Sequence, residues 1–148
     1  MSDTRAGEEG QGTMTAPLGV AKAPCKSCPY RVDVPSGIWD ASEYAKLPGY
    51  DGEIVDQLAA PALGLFLCHQ QDGNLCAGWL ACHGAHNLLA FRLHGRDVTP
   101  EAWNYATAVP VFRSGAEAAA HGAAGIQAPP QRAKAAIARL LRRRHRQN

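Results

Sequence analysis

The apolar positions of this chain fall into short, interrupted runs. Residues 63–68, Leu-Gly-Leu-Phe-Leu-Cys, are almost all apolar and bounded by turn residues, which predicts a short buried strand. The Asp72-Gly73 pair that follows marks a turn. From residue 75 to about 93, the spacing of Trp79, Leu80, Leu88 and Phe91 suits one face of a central helix. Gly78 and Gly84 weaken that helix by up to ~1 kcal/mol each, so something is expected to pack closely against it.

Shorter helices are predicted around this centre. One runs over about 41–47 and is stopped by Pro48-Gly49. Another starts at Thr99-Pro100-Glu101 and runs to about 108, where Pro110 closes it. A third begins at the Ser114-x-x-Glu117 capping box and ends near Gly122. Pro129-Pro130 precedes a last helix, from 131 to about 144, with Ala133, Ile137, Leu140 and Leu141 as a narrow apolar stripe on a basic body. Residues 1–22 are Gly-, Thr-, Glu- and Ala-rich without apolar periodicity, which predicts a disordered tail. The division is therefore 1–22 tail, 23–113 core domain and 114–148 helical basic extension. The fold class is α+β, a small loop-rich domain with short strands.

Composition sharpens this in two ways. The 148 residues include only 3 Phe, 3 Trp and 4 Tyr, a lean supply of large apolar side chains for which a metal staple would compensate. The net charge of +2 is small, but it is unevenly placed: no Asp or Glu occurs from Ala118 onward, where Arg139, Arg142, Arg143, Arg144 and Arg146 cluster. Such a cluster suits phosphate contact, or it solvates a helix end and complements its dipole.

No apolar stretch approaches the ~18–20 residues of a membrane span, and the acidic, non-apolar start does not resemble an export signal. A cytoplasmic protein with no membrane partner is expected. Five cysteines in a reducing compartment point to metal or redox chemistry rather than disulfides.

The candidate chemistry is concentrated in Cys25-x-x-Cys28, then Cys68-His69, Cys76, Cys82-His83 and His86. A structural zinc ion takes four Cys or His ligands, and a Cys-x-x-Cys loop shaped by Pro24, Pro29 and Pro35 supplies two. Reach sorts the rest. Cys68 and His69 would point to opposite faces of a strand. Cys76 and His83 lie ~10 Å apart along a continuous helix. Cys82 and His86, at i and i+4, would share a helical face and chelate.

The favoured set is Cys25, Cys28, Cys68 and Cys76, where a loop, a strand end and a helix start converge. His69, Cys82, His83 and His86 are second-shell or alternative ligands, with Cys82 also read as core packing. Trp39 and Trp79 are expected in the core, Trp79 also shielding the metal. An iron–sulfur cluster accepts the same four thiolates.

The combination Cys25-x-x-Cys28-Pro29-Tyr30-Arg31, Phe66-x-Cys68-His69 and Cys76-Ala77-Gly78-Trp79 resembles an uncharacterised family, a domain of unknown function found in actinobacteria and their phages. The resemblance spans roughly residues 24–93. It implies that Cys25, Cys28, Cys68, His69, Cys76 and Trp79 belong to one constellation, and it implies no activity.

Enzyme signatures fit poorly. The zinc deaminase pattern needs a His-x-Glu before Pro-Cys-x-x-Cys, and no histidine precedes Cys25. Cys28-Pro29-Tyr30 is similar to the glutaredoxin active-site tripeptide, but the alternating strands and helices of that fold are missing. Pro29 stands where covalent haem attachment requires histidine, and no phosphate-cradling Gly-rich loop is present. The expected function is a zinc-binding module serving nucleic-acid or protein contact, with an iron–sulfur or thiol redox protein as the alternative.

Overall fold

The computed structural model describes residues 16–147 apart from 61, 69 and 72, with side chains up to residue 143. The fold is α+β and loop-rich, with short helices and a single two-stranded sheet among the described residues. The strands β1 (Gly19–Val20) and β2 (Asn74–Leu75) pair in parallel, with Gly19 opposite Asn74. Beside them Leu18 bridges Val98. Residues 18–20 thus pair within the segment that composition assigned to the tail, because edge pairing needs backbone groups rather than apolar side chains; residues 1–15 of that predicted tail lie outside the described residues.

Residues 63–68 do not form a strand. Only Leu67 pairs, in an isolated bridge to Leu75, while Leu63 and Leu67 are exposed. Phe66 alone of the run's large side chains is fully buried. The apolar run is therefore one arm of a narrow hairpin, closed by Cys68 N–H to the Asn74 carbonyl at 2.9 Å and Cys76 N–H to the Phe66 carbonyl at 2.8 Å.

The helices are α1 (Ala41–Ala45), α2 (Ile54–Ala59), α3 (Ala77–His83), α4 (Leu89–His94), α5 (Gly115–Ala124) and α6 (Gln131–Gln147). The long central helix expected over 75–93 is broken in two. Gly84 takes φ +80° and ends α3, and a 3₁₀ turn at Ala85–Asn87 leads into α4. That backbone conformation is open to glycine at little cost. The helix expected from Thr99 shrinks to a 3₁₀ turn, Pro100–Asn104. Helix α2 is not signalled by the sequence, since its reciprocal cap puts Glu53 at the N-cap and Asp56 at the third helical position, where the usual pattern has Ser or Thr and then Glu or Gln.

The main core gathers Tyr30, Leu47, Leu75, Trp79, Leu80, Leu88 and Phe91, all fully buried. Helix α5 packs on α1 and on the 3₁₀ turn Leu47–Tyr50, with Ala118 in the main core. Its N-terminus is held twice: Ser114 Oγ accepts from Glu117 N–H, and Asp51 accepts from Gly115 and Ala116 N–H. Helix α6 docks Ala133, Ala136, Ile137 and Leu140 on Val34, Ile38 and Trp39 as a second, smaller core. Leu141, placed in that stripe by its spacing, is 55% exposed. No helix of the described residues is long and apolar enough to cross a membrane.

Gln57 is a fully buried polar side chain that ties α2 to the start of α4. Its Nε2 donates to the Asn87 carbonyl at 2.7 Å and its Oε1 accepts from Leu89 N–H at 2.9 Å. Gln57→Leu keeps the volume but strands both backbone groups, and is expected to cost about 2–4 kcal/mol. Urea denaturation should show a lower midpoint at unchanged slope; an unaltered midpoint would mean that Gln57 does not hold this junction.

Candidate metal centre

The Cys25–Cys28 loop is a tight turn. Cys28 N–H donates to the Cys25 carbonyl at 2.9 Å, and Arg31 N–H to the Cys28 carbonyl at 3.1 Å. The Arg31 side chain clamps this turn from outside, with Nη1 on the Pro24 carbonyl and Nε and Nη2 on the two oxygens of Asp33. The chain then leaves the loop paired to residues 110–112: Val32 N–H donates to the Pro110 carbonyl and Phe112 N–H to the Tyr30 carbonyl. Tyr30 drops into the main core, edge-on to Phe66 and His83.

The loop faces the open end of the 66–76 hairpin, and the sulfurs meet in two pairs. Cys25 Sγ is 3.2 Å from Cys68 Sγ, and Cys28 Sγ is 3.6 Å from Cys76 Sγ. None of the five cysteines is in a disulfide. The two pairs border one small cavity of about 10 Å³, which Ser27, Trp39 and Gln70 help to enclose. Trp39 is held there by Nε1 donating to the Ser27 carbonyl at 2.8 Å. Trp79, expected to shield this place, is instead stacked on Phe66 in the core, with its indole N–H buried and without a hydrogen-bond partner among the described residues.

Backbone donors are directed at the two inner sulfurs. The nearby backbone N–H groups of Tyr30 and Gly78 favour the Cys28 thiolate, and that of Trp79 favours the thiolate of Cys76, which stands at the N-cap of α3. Gly78 is what permits this approach: a Cβ there would lie 2.4 Å from Cys28 Sγ and 2.8 Å from Tyr30 Cβ. The close packing that the glycines of this segment predicted is thus the cysteine loop itself.

The electrostatics follow from crowding. Cys28 is drawn below the ordinary thiol range by its hydrogen bond from Cys76 and by the backbone donors. Cys76 is raised by the same pairing and by burial, and Cys25 by its bond to Cys68 and by burial. Several thiolates cannot share so small a space without a compensating cation.

As the side chains stand, no three His, Cys, Asp or Glu residues among those described form a ready metal-holding group. The reason is the pairwise arrangement. A tetrahedron with ~2.3 Å zinc–sulfur bonds has sulfur–sulfur edges of about 3.8 Å. The Cys28–Cys76 pair is close to that, whereas Cys25 and Cys68 would have to separate by about half an ångström, a small side-chain rotation. Four thiolates are a donor set that zinc accepts, and these two contacts supply two of the six edges such a tetrahedron would have.

The other candidates are placed elsewhere. Cys82 is half-buried against the main core, and burial pushes its thiol up to about 12. The break at Gly84 removes the helical face that Cys82 and His86 were expected to share; His86 is exposed, against the Trp103 ring. His69 lies outside the described residues, as do the side chains of Arg144 and Arg146. His83 faces Tyr30 Oη at 3.4 Å and Asp51 at 3.8 Å, and has no place in the sulfur cavity.

Burial drives the His83 imidazole down to about 4, against the pull of Asp51, so the pair is not an ion pair at neutral pH. A histidine in the unfolded chain titrates near 6.5. The unfolded state therefore takes up this proton first. Stability from keeping His83 neutral is complete above about pH 6.5 and declines as pH falls toward about 4, by about 3 kcal/mol in all. The stability difference between His83→Gln and the parent should narrow over that interval; a difference independent of pH would show that His83 titrates normally.

A family model described as a family of unknown function (DUF6283) matches residues 20–144. The chain belongs to the DUF6283 family. The match extends beyond the Cys-rich segment through α5 and nearly all of α6, so this DUF6283 chain carries the family's sequence pattern over both cores. No curated protein and no solved structure matches the chain.

Proposed function

We propose that this DUF6283 domain is a zinc-binding module in which Cys25, Cys28, Cys68 and Cys76, as thiolates, hold one structural ion. The observation that carries the reading is the convergence of two sequence-distant cysteine pairs on one small cavity, with sulfurs 3.2 and 3.6 Å apart and backbone N–H groups aimed at two of them. Such donors stabilise thiolate over thiol. A bound cation would offset the mutual repulsion and add a link between the loop and the hairpin beside the Tyr30–Phe66 contact.

Volume favours one ion over an iron–sulfur cluster. A cavity of about 10 Å³ accommodates roughly one water-sized sphere, and a cluster would require the four sulfurs to move well apart. Four ligands from the chain would also leave no open position, the mark of a structural rather than catalytic zinc. The reading suits a reducing compartment such as the cytoplasm, where the thiols persist.

One observation favours a second reading, a thiol redox protein. Cys25 and Cys68 approach closely enough that oxidation would join them with little backbone movement. Elemental analysis with thiol titration on protein purified without oxygen separates the two. About one zinc per chain supports the structural centre; no metal with four reactive thiols supports the redox pair, and iron with acid-labile sulfide would overturn the volume argument.

A further inference from the structure

A cavity of about 1100 Å³ lies between α6 and the cysteine loop. Its cations are Lys26 and Arg31 on the loop side and Arg132, Arg139, Arg142 and Arg143 on the helix. The one carboxylate on its lining among the described residues, Asp33, is already engaged by Arg31. That leaves Lys26 and the four helix arginines, all exposed, facing one trough. The sequence placed the basic cluster in a terminal extension; the fold turns it toward the cysteine loop and adds Lys26 and Arg132.

Their spacing is regular. Arg132, Arg139 and Arg143 stand at i, i+7 and i+11, so they share one face of α6 over about 16 Å. Arginine forks match phosphate oxygens better than point charges do. A nucleic-acid strand carries one phosphate per ~3.4 Å of axis, so a run of this length spans about five of them. Among the described residues the lining offers no aromatic side chain for base stacking, so the contact argued from them is with the sugar–phosphate backbone.

The trough also touches the sulfur site. Ser27 and Gln70 line both cavities and are hydrogen-bonded to each other, and Arg143 Nη1 donates to Gln70 Oε1 at 2.9 Å. Arg132 Nη2 reaches the Asp33 carbonyl at 2.9 Å. The loop wall is thus set by the cysteines and latched to α6 by two arginines.

We infer that the trough between the cysteine loop and α6 binds the phosphate backbone of nucleic acid without reading its sequence, through Lys26, Arg132, Arg139, Arg142 and Arg143. The inference rests on the zinc reading for the position of its loop wall only.

The test is fluorescence anisotropy of the full chain with a labelled 20-nucleotide oligothymidine and a mixed-sequence duplex of equal length, across a salt series, with zinc content measured on every sample. For five contacts, log affinity for the single strand should fall against log salt with a slope of about −3.5, and reversing Arg139 and Arg142 to glutamate should reduce it by about 1.4. Low-salt affinity for the preferred oligonucleotide should fall at least about tenfold. Arg92→Glu with Arg96→Glu, the same charge change at exposed positions outside the trough, should cost less than about threefold.

Equal losses in the two double variants, no binding at low salt, or stronger binding of polyglutamate than of either oligonucleotide would each overturn the inference. Parent protein that contains zinc but binds no oligonucleotide refutes the trough alone. Protein without zinc that still shows the trough-dependent loss refutes the zinc reading and upholds the trough.

Discussion

Cys76→Ser will remove the zinc and the cooperative unfolding transition together. Cys76 is fully buried, stands at the start of α3 and closes the hairpin through its own N–H to Phe66, so its sulfur joins three segments at one point. Structural zinc contributes folding free energy on the order of 10 kcal/mol, comparable to or larger than the whole stability of a domain this size. A serine oxygen is a poor zinc ligand and would be left in an apolar setting. Cys25→Ser, on the outer pair, should behave alike in metal content but lose less packing, because Cys25 is only partly buried. Inductively coupled plasma analysis alongside thermal denaturation reads both effects. A Cys76→Ser protein that melts cooperatively near the parent temperature would show that the sulfur is not a ligand.

The second large effect is Gly78→Ala. In an exposed helix this change would stabilise by up to ~1 kcal/mol, through helix propensity. Here the added methyl collides with Cys28 Sγ and Tyr30 Cβ, both held by the loop, so the sign reverses. About 3 kcal/mol of destabilisation is expected from overpacking alone, together with weaker metal retention, since Cys28 must withdraw from the N–H of residue 78. Competition with a chelator should therefore strip zinc from Gly78→Ala at concentrations the parent withstands. A variant as stable as the parent, with unchanged chelator resistance, would place the loop farther from α3 than described above.

How much of this was legible in the sequence depends on the kind of signal. The four cysteines were assigned by asking which ligands a loop, a turn and a helix start can bring together, and their sulfurs do meet in two pairs around one cavity. Bringing the two pairs together needed only the turn predicted at residues 71–74 and not the strand predicted over 63–68; that the four sulfurs hold an ion is the proposal made above. The Ser114 cap was also readable, because caps are local, although Glu117 reaches back to the Arg113 N–H and not to that of Ser114, so only half of the box forms. The Asp51 carboxylate that caps the same helix was not, since it comes from 64 residues earlier.

Failures came where tertiary contact overrides pattern. The 75–93 segment keeps helical spacing on both sides of Gly84, so periodicity alone joins what the positive φ divides. Cys82 and His86 lose their shared face for that reason. Trp39, Ser27 and Gln70 carry no motif, yet they enclose the sulfur cavity. The one available hint was Ser27 inside the Cys-x-x-Cys loop. The apolar stripe of α6 was legible as a docking face, but the surface it docks on, Val34 and Ile38 just past the loop, was not. That docking is what turns the basic residues of the helix toward the cysteines.

X-ray absorption at the zinc edge, on protein purified without oxygen or added metal, tests the central claim most directly. One zinc per chain with a single shell of four sulfurs at about 2.3 Å is the predicted result. A shell containing nitrogen or oxygen, or protein that folds with no metal bound, would contradict it.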